Sequence, residues 1–156
     1  MSKLSNYISL LRISHWSKSV FILFGFFYTP IRGYFIPALL AALAFCLISS
    51  AVYIYNDIQD KTEDSLHPHK KNRPLARGSV SLYEAVFLLF FLLATGLLLG
   101  CLISKTLAMI LMMYLLINLS YNHALKLIPF VDVLCIALGF MLRILAGTIG
   151  IGLALS

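Results

Sequence analysis

The side chains that could do chemistry are concentrated in residues 53–78, which read YIYNDIQDKTEDSLHPHKKNRPLARG. This segment holds four of the six acidic residues in the 156-residue chain, namely Asp57, Asp60, Glu63 and Asp64. Four cationic residues follow them, namely Lys70, Lys71, Arg73 and Arg77. Grouped acids can hold a metal ion and grouped cations can bind phosphate, so the rest of the chain is expected to position this segment.

A helix over 35–55 that continues through Asp64 would bring the acids together. Each residue turns a helix by about 100°, so Asp57, Asp60 and Asp64 would lie within roughly 60° of one another, with Asn56 one step further round. Mutual repulsion and the helix dipole disfavour carboxylates at this end, which calls for a cation. Oxygen ligands suit Mg²⁺, and no Cys or His pair supports zinc. The alternative is a solvated helix end with ordinary surface charges.

The basic loop 67–78 cannot be helical throughout. Pro68 and Pro74 each bias the preceding residue out of the α region, and Gly78 permits a turn. Arginine offers forked donors to phosphate oxygens, and lysine supplies compact charge. The candidate phosphate-binding residues are Lys70, Arg73 and Arg77. The same positive charges could instead serve as a topology signal, and both roles can hold at once.

The composition is that of an integral membrane protein. Hydrophobic residues make up 61% and charged residues 12%, with a mean hydropathy of +0.95, whereas globular domains carry about 25% charged residues. The net charge of +6 does not indicate nucleic acid, because the positive residues lie between apolar runs without a continuous basic face. Cys46, Cys101 and Cys135 lie inside apolar runs at no metal-ligand spacing and are expected to be small buried side chains.

Apolar runs predict an all-α, polytopic bundle of about five membrane spans, since a bilayer core takes about 20 helical residues. The expected spans are about 19–35, 35–56, 82–103, 106–123 and 130 to the terminus. Pro30, Arg32 and Gly33 make the first span short or bent. No cleavable signal peptide is expected, because the first apolar run begins only near Val20.

The positive residues predict the orientation. Nine lie at the N-terminus and in the connections after the second and fourth spans, namely Lys3, Arg12, Lys18, Lys61, Lys70, Lys71, Arg73, Arg77 and Lys126. Arg32 and Lys105 fall on the opposite side. We therefore expect the N-terminus and the acid-rich segment on the cytoplasmic side, with a bacterial inner membrane as the compartment.

Four residues near the fifth span are further candidates. Tyr121, Lys126 and Asp132 precede or begin it on the same side as the acids. Lys126 could donate to phosphate, and Asp132 could pair with it or make a second metal contact, or each could be an ordinary interfacial residue. Arg143 lies well inside the span, where a charged side chain is costly and normally faces a polar interior. It is either functional or the packing partner of a carboxylate.

The spacing N-D-x-x-D-x-x-x-D in NDIQDKTED, followed by H-P-x-K-x-x-R-P-x-x-x-G, resembles the first aspartate-rich motif of the UbiA-type membrane prenyltransferase superfamily. LRISHWSKS, SSAVYIYND and LKLIPFVDVLCIALGFMLRILAG are similar to the branch that contains decaprenyl-phosphate phosphoribosyltransferases. The resemblance covers about residues 10–150. It implies a bundle of nine transmembrane helices, a cytoplasm-facing cavity, magnesium held by aspartate-rich motifs, and a lipid substrate that enters from the membrane.

The resemblance also implies roles for individual residues. Catalysis would depend on Asp57, Asp60 and Asp64, and these three with Asn56 would hold Mg²⁺. Donor diphosphate would bind Lys70, Arg73 and Arg77. The same polar opening would be lined by Arg12, Lys18, Tyr121 and Lys126.

The chain departs from the family in length. It has about five expected spans, roughly half of the family's length, and contains no second aspartate-rich motif. We therefore expect residues 1–156 to be a single transmembrane domain that is incomplete at its C-terminus. A fragment, a truncated gene product or one half of a two-chain assembly would each explain this.

The expected function is a magnesium-dependent transfer that displaces diphosphate, with phosphoribosyl moving from its diphosphate donor to a polyprenyl phosphate. Transfer of a prenyl chain to an aromatic or other acceptor is the alternative within the superfamily. From other classes, a cation transporter would want the same oxygens, although transport sites usually lie near the bilayer midplane. A non-catalytic membrane subunit that keeps the motif is a further alternative.

Overall fold

The computed structural model describes residues 3–28, 32–123, 128 and 130–153, which form helices and connecting turns with no strand among them. The α-helices in these ranges are α1 (Lys3–Leu11), α2 (Val20–Tyr28), α3 (Phe35–Gln59), α4 (Lys61–Leu66), α5 (Leu82–Ile103), α6 (Lys105–His123) and α7 (Val131–Ala146). Short 3₁₀ helices cover Ile13–Ser19, Arg32–Tyr34, Lys70–Asn72 and Ile149–Ile151. The predicted all-α class is confirmed.

Within the described ranges, three helical segments are long and apolar enough to cross a membrane: α3, α5 and Val131–Ile151. These segments correspond to three of the five predicted spans, those at 35–56, at 82–103 and from about 130 onward. α2 has only nine residues, short of the roughly 20 that a span requires. α6 has nineteen residues, but its last turns carry polar side chains, among them Asn118, Tyr121 and Asn122.

α3 is the central helix, because it contributes to both hydrophobic cores. Ala41, Phe45 and Ile48 pack with residues of α2, α6 and α7, and their spacing of three and four residues forms one helical face. Ala51 and Ile54 pack instead with α1, α5 and the basic loop. The second core therefore fixes the end of α3 that carries Asp57.

α5 covers one side of α3 and leaves its own outer side uncovered. Phe87, Phe90 and Leu98 are among its exposed side chains, as expected where lipid replaces a protein neighbour. Cys101 lies on this exposed side, so the prediction that it is buried is wrong, whereas Cys46 is buried and Cys135 half-buried. An apolar run in a membrane helix does not distinguish burial in protein from exposure to lipid.

The start of α5 is tied to α1. Ser81 and Glu84 form a capping box, in which each side chain accepts from the other residue's backbone N–H. The Glu84 carboxylate also accepts from the Tyr7 hydroxyl at 2.9 Å and lies 3.0 Å from Lys3 Nζ. This link holds α1 against α5 and brings the following Arg12 toward α3.

The helix that carries the acids ends earlier than expected. α3 ends at Gln59, and Asp60 (φ −87°, ψ 4°) joins it to α4, so the prediction of one helix through Asp64 is wrong. The break is favoured by the ion pair between Arg73 and Asp64, and the helix dipole contributes, because it disfavours negative charge in a last turn and favours it in a first turn. Because of the break, Glu63 and Asp64 lie in the first turn of α4.

Gly147 gives the first stability prediction. A Cβ at this position would lie 1.7 Å from the Ile22 carbonyl oxygen, a backbone atom that cannot move without shifting α2. We expect Gly147→Ala to lower the free energy of unfolding by about 1–3 kcal/mol. Thermal unfolding in detergent would measure it, with Gly33→Ala as the control because no atom lies within 4 Å of a Cβ there. Equal melting temperatures for the two variants would contradict the close approach of α2 and α7.

Candidate active site

Asp57 and Asp64 are buried and share one cation. Each is 2% exposed, and Nη1 of Arg73 lies 3.2 Å from Asp57 Oδ1 and 2.5 Å from Asp64 Oδ2. We call these two carboxylates the acid pair. Buried carboxylates require ion pairs or metal ligation to remain charged. The acid pair is therefore a position built to receive a cation, which Arg73 fills.

Two further cations contact the acid pair. Arg12 Nη2 lies 2.6 Å from Asp57 Oδ1, and Lys70 Nζ lies 3.8 Å from Asp64 Oδ1. The backbone of Arg12 is left-handed (φ 50°, ψ 49°), a conformation uncommon for residues other than glycine. The turn ends α1 and aims the Arg12 side chain at α3. Three cations around two carboxylates leave net positive charge at this point.

The basic loop is held in place by its own hydrogen bonds and by one anchor. His67 Nδ1 accepts from the backbone N–H groups of His69 and Lys70. Leu75 is fully buried in the core beside α1 and α5, and Gly78 takes a positive φ of 74°, as a tight turn requires. The expected ordered connector is found, and it presents Arg73 to the acid pair.

A cavity of about 410 Å³ opens beside the acid pair. We call it the acid-site cavity. Its lining includes Arg12, His15, Asp57 and Arg73, together with the apolar Ile8, Ile13 and Pro74. Its polar side also includes Ser9 and Ser14, and the two arginines are donors that can bind an anion.

A second cavity of about 270 Å³ lies between the Ile13–Ser19 segment, α3, α6 and α7. We call it the arginine cavity. It brings together Lys18, Tyr121, Asp132 and Arg143, four of the candidate residues from the sequence. The expected shared opening of Arg12, Lys18, Tyr121 and Lys126 stays a prediction: Lys18 and Tyr121 line this cavity, whereas Arg12 lines the acid-site cavity. Tyr53 lies between the two groups, since it lines the arginine cavity and stacks under Arg12 at 4.8 Å.

The remaining candidate residues that the structure describes make contacts other than those of the acid pair. Asp60 is half-buried at the break between α3 and α4, and the amide oxygen of Asn56 accepts from the Asn122 side chain of α6. Arg77 donates to Asn6 at 2.5 Å and to Ser79 at 2.9 Å, which ties the loop to α1. Lys126 lies outside the described residues.

Several lining residues were missed from the sequence. Tyr53 precedes Asp57 by one helical turn, so it shares the face of the acid, a spacing that could have identified it. Tyr114 and Asn118 precede Asn122 at the same four-residue interval on α6 and line the arginine cavity. His15, whose Nδ1 lies 3.1 Å from the Tyr53 hydroxyl, had no comparable signal, because its position depends on the turn at Arg12.

A sequence model described as the UbiA prenyltransferase family matches residues 19–155. The chain belongs to the UbiA prenyltransferase family. It is an integral membrane protein, as its apolar helices and its family indicate.

Relatives in this UbiA family include phosphoribosyltransferases. The chain is 31% identical over 164 residues to decaprenyl-phosphate phosphoribosyltransferase of Corynebacterium glutamicum, covering 96% of this chain and 47% of the relative. The Mycolicibacterium smegmatis enzyme of the same name is 32% identical, covering 74% of this chain and 36% of the relative. An uncharacterized protein of Sinorhizobium fredii is 36% identical, covering 97% of this chain and 30% of the relative. The chain thus spans less than half the length of these relatives.

Solved structures of UbiA homologues share the fold. One from Archaeoglobus fulgidus bound to GPP and Mg²⁺ gives a TM-score of 0.79 at 25% identity, covering 97% of this chain and 56% of that chain. Another structure from the same organism, bound to DMAPP and Mg²⁺, gives a TM-score of 0.76 at 26% identity, covering 91% of this chain and 53% of that chain.

The acid pair fits a hard divalent ion in the chemistry of its donors. Its two carboxylates converge on a single cationic atom, and Mg²⁺ is commonly held by one or two carboxylates plus water and substrate phosphates. No group of three or more His, Cys, Asp or Glu side chains suited to a metal ion occurs among the residues that the structure describes. A magnesium ion at this position would therefore depend on ligands from water or from a bound phosphate.

The bridge at Arg73 can be tested by its effect on stability. Arg73→Met leaves two buried carboxylates with less compensation, so we expect unfolding to become easier by about 2–3 kcal/mol. Adding Asp64→Asn should recover part of the loss, because it removes one of the two charges. Denaturant unfolding would measure both, with exposed Lys71→Met as the control. The shared bridge would be contradicted if the double variant lost more unfolding free energy than the two single variants lose together.

His15 gives a prediction about pH. Partial burial, together with the charges of Lys18 and Arg12, lowers its pKa from 6.5. Because the folded pKa lies below the unfolded one, the contribution of neutral His15 is present above pH 6.5 and is lost as the pH falls through the folded value. We expect the melting temperature to fall more in the wild type than in His15→Gln between about pH 7.5 and about pH 5. Melting temperatures that fall equally with pH in the two proteins would contradict this prediction.

Proposed function

We propose that this chain carries the diphosphate-binding part of a magnesium-dependent membrane transferase that displaces diphosphate from an activated carbon. The preferred reaction moves phosphoribosyl from its diphosphate donor to a polyprenyl phosphate. The observation that carries the proposal is the acid pair, bridged by Arg73 and open to a cavity with surplus positive charge. The named phosphoribosyltransferases among the relatives support this choice of substrate.

The cations of the acid site would bind the donor. Arg73 lies 27% exposed, and Arg12 23% exposed, so both can turn part of their donor set toward the acid-site cavity. Arginine pairs with phosphate through two parallel hydrogen bonds, and Lys70 adds a compact charge. Negative charge grows on the diphosphate as it leaves, and these fixed cations would stabilise that charge more than they stabilise the bound donor.

The bond changes follow from the substrates. The bond between the anomeric carbon and the diphosphate oxygen breaks, and the diphosphate leaves with the electron pair. An oxygen of the lipid phosphate forms the new bond to that carbon. Asp57 and Asp64, with Asp60 and Asn56 as further candidates, would hold the magnesium ion. When bound, this ion would neutralise charge on the leaving diphosphate.

Transfer of a prenyl chain is the second candidate. The two Archaeoglobus fulgidus structures contain DMAPP and GPP, which are prenyl diphosphates. A prenyl donor presents the same leaving group to the same cations, so the acid site alone does not distinguish the two reactions. The part of the donor that is transferred distinguishes them, because ribose is polar and a prenyl chain is apolar.

The membrane arrangement is part of the proposal. The acid site would face the cytoplasm of a bacterial inner membrane, where phosphorylated sugars are dissolved, and the polyprenyl lipid would arrive through the bilayer. The remainder of a nine-helix bundle, with a second aspartate-rich motif, would come from further sequence or from a second chain.

The metal role can be tested by binding. Asp57→Asn should abolish magnesium-dependent binding of labelled phosphoribosyl diphosphate to the detergent-solubilised chain, because it removes one of two carboxylates that converge on the cation position. The control is Glu63→Gln, an exposed acid on α4. Binding that persists in Asp57→Asn, or that is lost equally in Glu63→Gln, would contradict the assignment.

The donor can then be identified in liposomes that contain polyprenyl phosphate. Release of diphosphate from phosphoribosyl diphosphate only when the lipid phosphate is present would support the preferred reaction. Release only from a prenyl diphosphate would replace it with the second candidate. An absence of magnesium-dependent diphosphate binding would favour a non-catalytic membrane subunit.

A further inference from the structure

Arg143 is a buried cation in a membrane-spanning segment, and the proposed chemistry at the acid pair does not use it. The residue is 5% exposed. Its Nη1 donates to the Gly139 carbonyl at 2.8 Å and its Nη2 to the Tyr114 hydroxyl at 3.3 Å. Within the described part of the chain, no carboxylate forms an ion pair with it, and its Nε is a buried donor without a hydrogen-bond partner.

Aromatic rings compensate Arg143 only in part. Its guanidinium carbon lies 4.8 Å from the ring centroid of Phe45, 5.1 Å from that of Tyr114 and 5.8 Å from that of Phe140. These contacts stabilise the cation, but they supply no negative charge. A buried charge without a counterion in a membrane helix is costly, so Arg143 is a candidate functional residue.

The arginine cavity provides space for an anion. Besides Arg143, the polar residues of its lining include Lys18, Tyr53, Tyr121 and Asn118. Its volume of about 270 Å³ lies below the roughly 300–1,000 Å³ of a pocket for a whole drug-sized ligand. The size suits a headgroup and not a complete lipid.

The one carboxylate of the lining lies far from Arg143 along α7. Asp132 is in the first turn of this helix and Arg143 in its last, eleven residues apart, which corresponds to about 16 Å along the axis. Asp132 therefore does not neutralise Arg143. The exposed Asp132 lies at the outer end of the cavity instead.

We propose that the arginine cavity is a second anion site, distinct from the acid pair, that binds the phosphate-monoester headgroup of a lipid through Arg143 and Lys18. A lipid source is favoured over free phosphate because the cavity is formed by helices that include two membrane-spanning segments. The identification of this lipid as the acceptor rests on the proposed function, whereas the presence of the site does not.

Binding of farnesyl phosphate to the full 156-residue chain in nanodiscs tests the site. Arg143→Gln and Lys18→Gln should each weaken binding about tenfold or more, because each removes a charged hydrogen-bond donor. Arg143→Lys should weaken binding less than Arg143→Gln, since lysine keeps the positive charge although it lacks the paired donors of the guanidinium group. The matched control is Lys105→Gln, an exposed lysine at the opposite end of α6 from Tyr121.

Two competitors identify the part of the ligand that is recognised. Farnesol, which has the chain without the phosphate, should not compete. Inorganic phosphate should compete only weakly, and competition at the affinity of farnesyl phosphate would overturn the lipid assignment. Unchanged binding of farnesyl phosphate in both Gln variants would overturn the site. If Arg143→Gln does not purify as a folded protein, Lys18→Gln decides, because its exposed side chain is not needed for folding.

Donor binding separates this inference from the proposed function. The Arg143 and Lys18 variants should still bind phosphoribosyl diphosphate with magnesium. If they lose the donor and keep farnesyl phosphate, the second site is wrong and the function at the acid pair stands. If Arg143→Gln loses farnesyl phosphate and the wild type binds no diphosphate donor, the site is supported and the proposed function fails.

Discussion

The sharing of Arg73 by two buried carboxylates is the interaction on which the rest of this structure depends. Asp57 and Asp64 are almost completely removed from solvent, so their charges persist only if cations reach them. Arg73 reaches them because Leu75 anchors the loop in the core. Arg12 reaches Asp57 because a left-handed residue turns the chain at the end of α1. The loop, the turn and the break at Asp60 all satisfy this one electrostatic requirement.

Hydrophobic patterning predicted the helices well where lipid or protein covers them all round. The expected spans 35–56 and 82–103 correspond to α3, Phe35–Gln59, and α5, Leu82–Ile103. The break at Asp60 was not predicted, because continuous helix is the local preference. The break is favoured by contacts to Arg73, nine residues beyond Asp64. Such a contact between distant residues has no signature in local periodicity.

Much of the candidate site could be predicted from residue types, but its division into two cavities could not. Clustered acids in an acid-poor chain identified Asp57 and Asp64, and the loop composition identified Arg73 and Lys70. The family resemblance implied one opening shared by Arg12 and Lys18. The structure assigns them to different cavities, because the turn at Arg12 and the Tyr53 ring lie between them.

The division into two cavities has a consequence for any reaction between two phosphate compounds. Two like charges about 4 Å apart repel by about 4 kcal/mol at an effective dielectric of 20, so a donor and an acceptor that are both anionic oppose their own approach. Separate cations, Arg12 and Arg73 for one anion and Arg143 for the other, would neutralise each before they meet. Tyr53 borders both groups of cations and carries no charge of its own at neutral pH. Under the proposed function, this arrangement lets two anions approach through separate cavities without sharing a single set of donors.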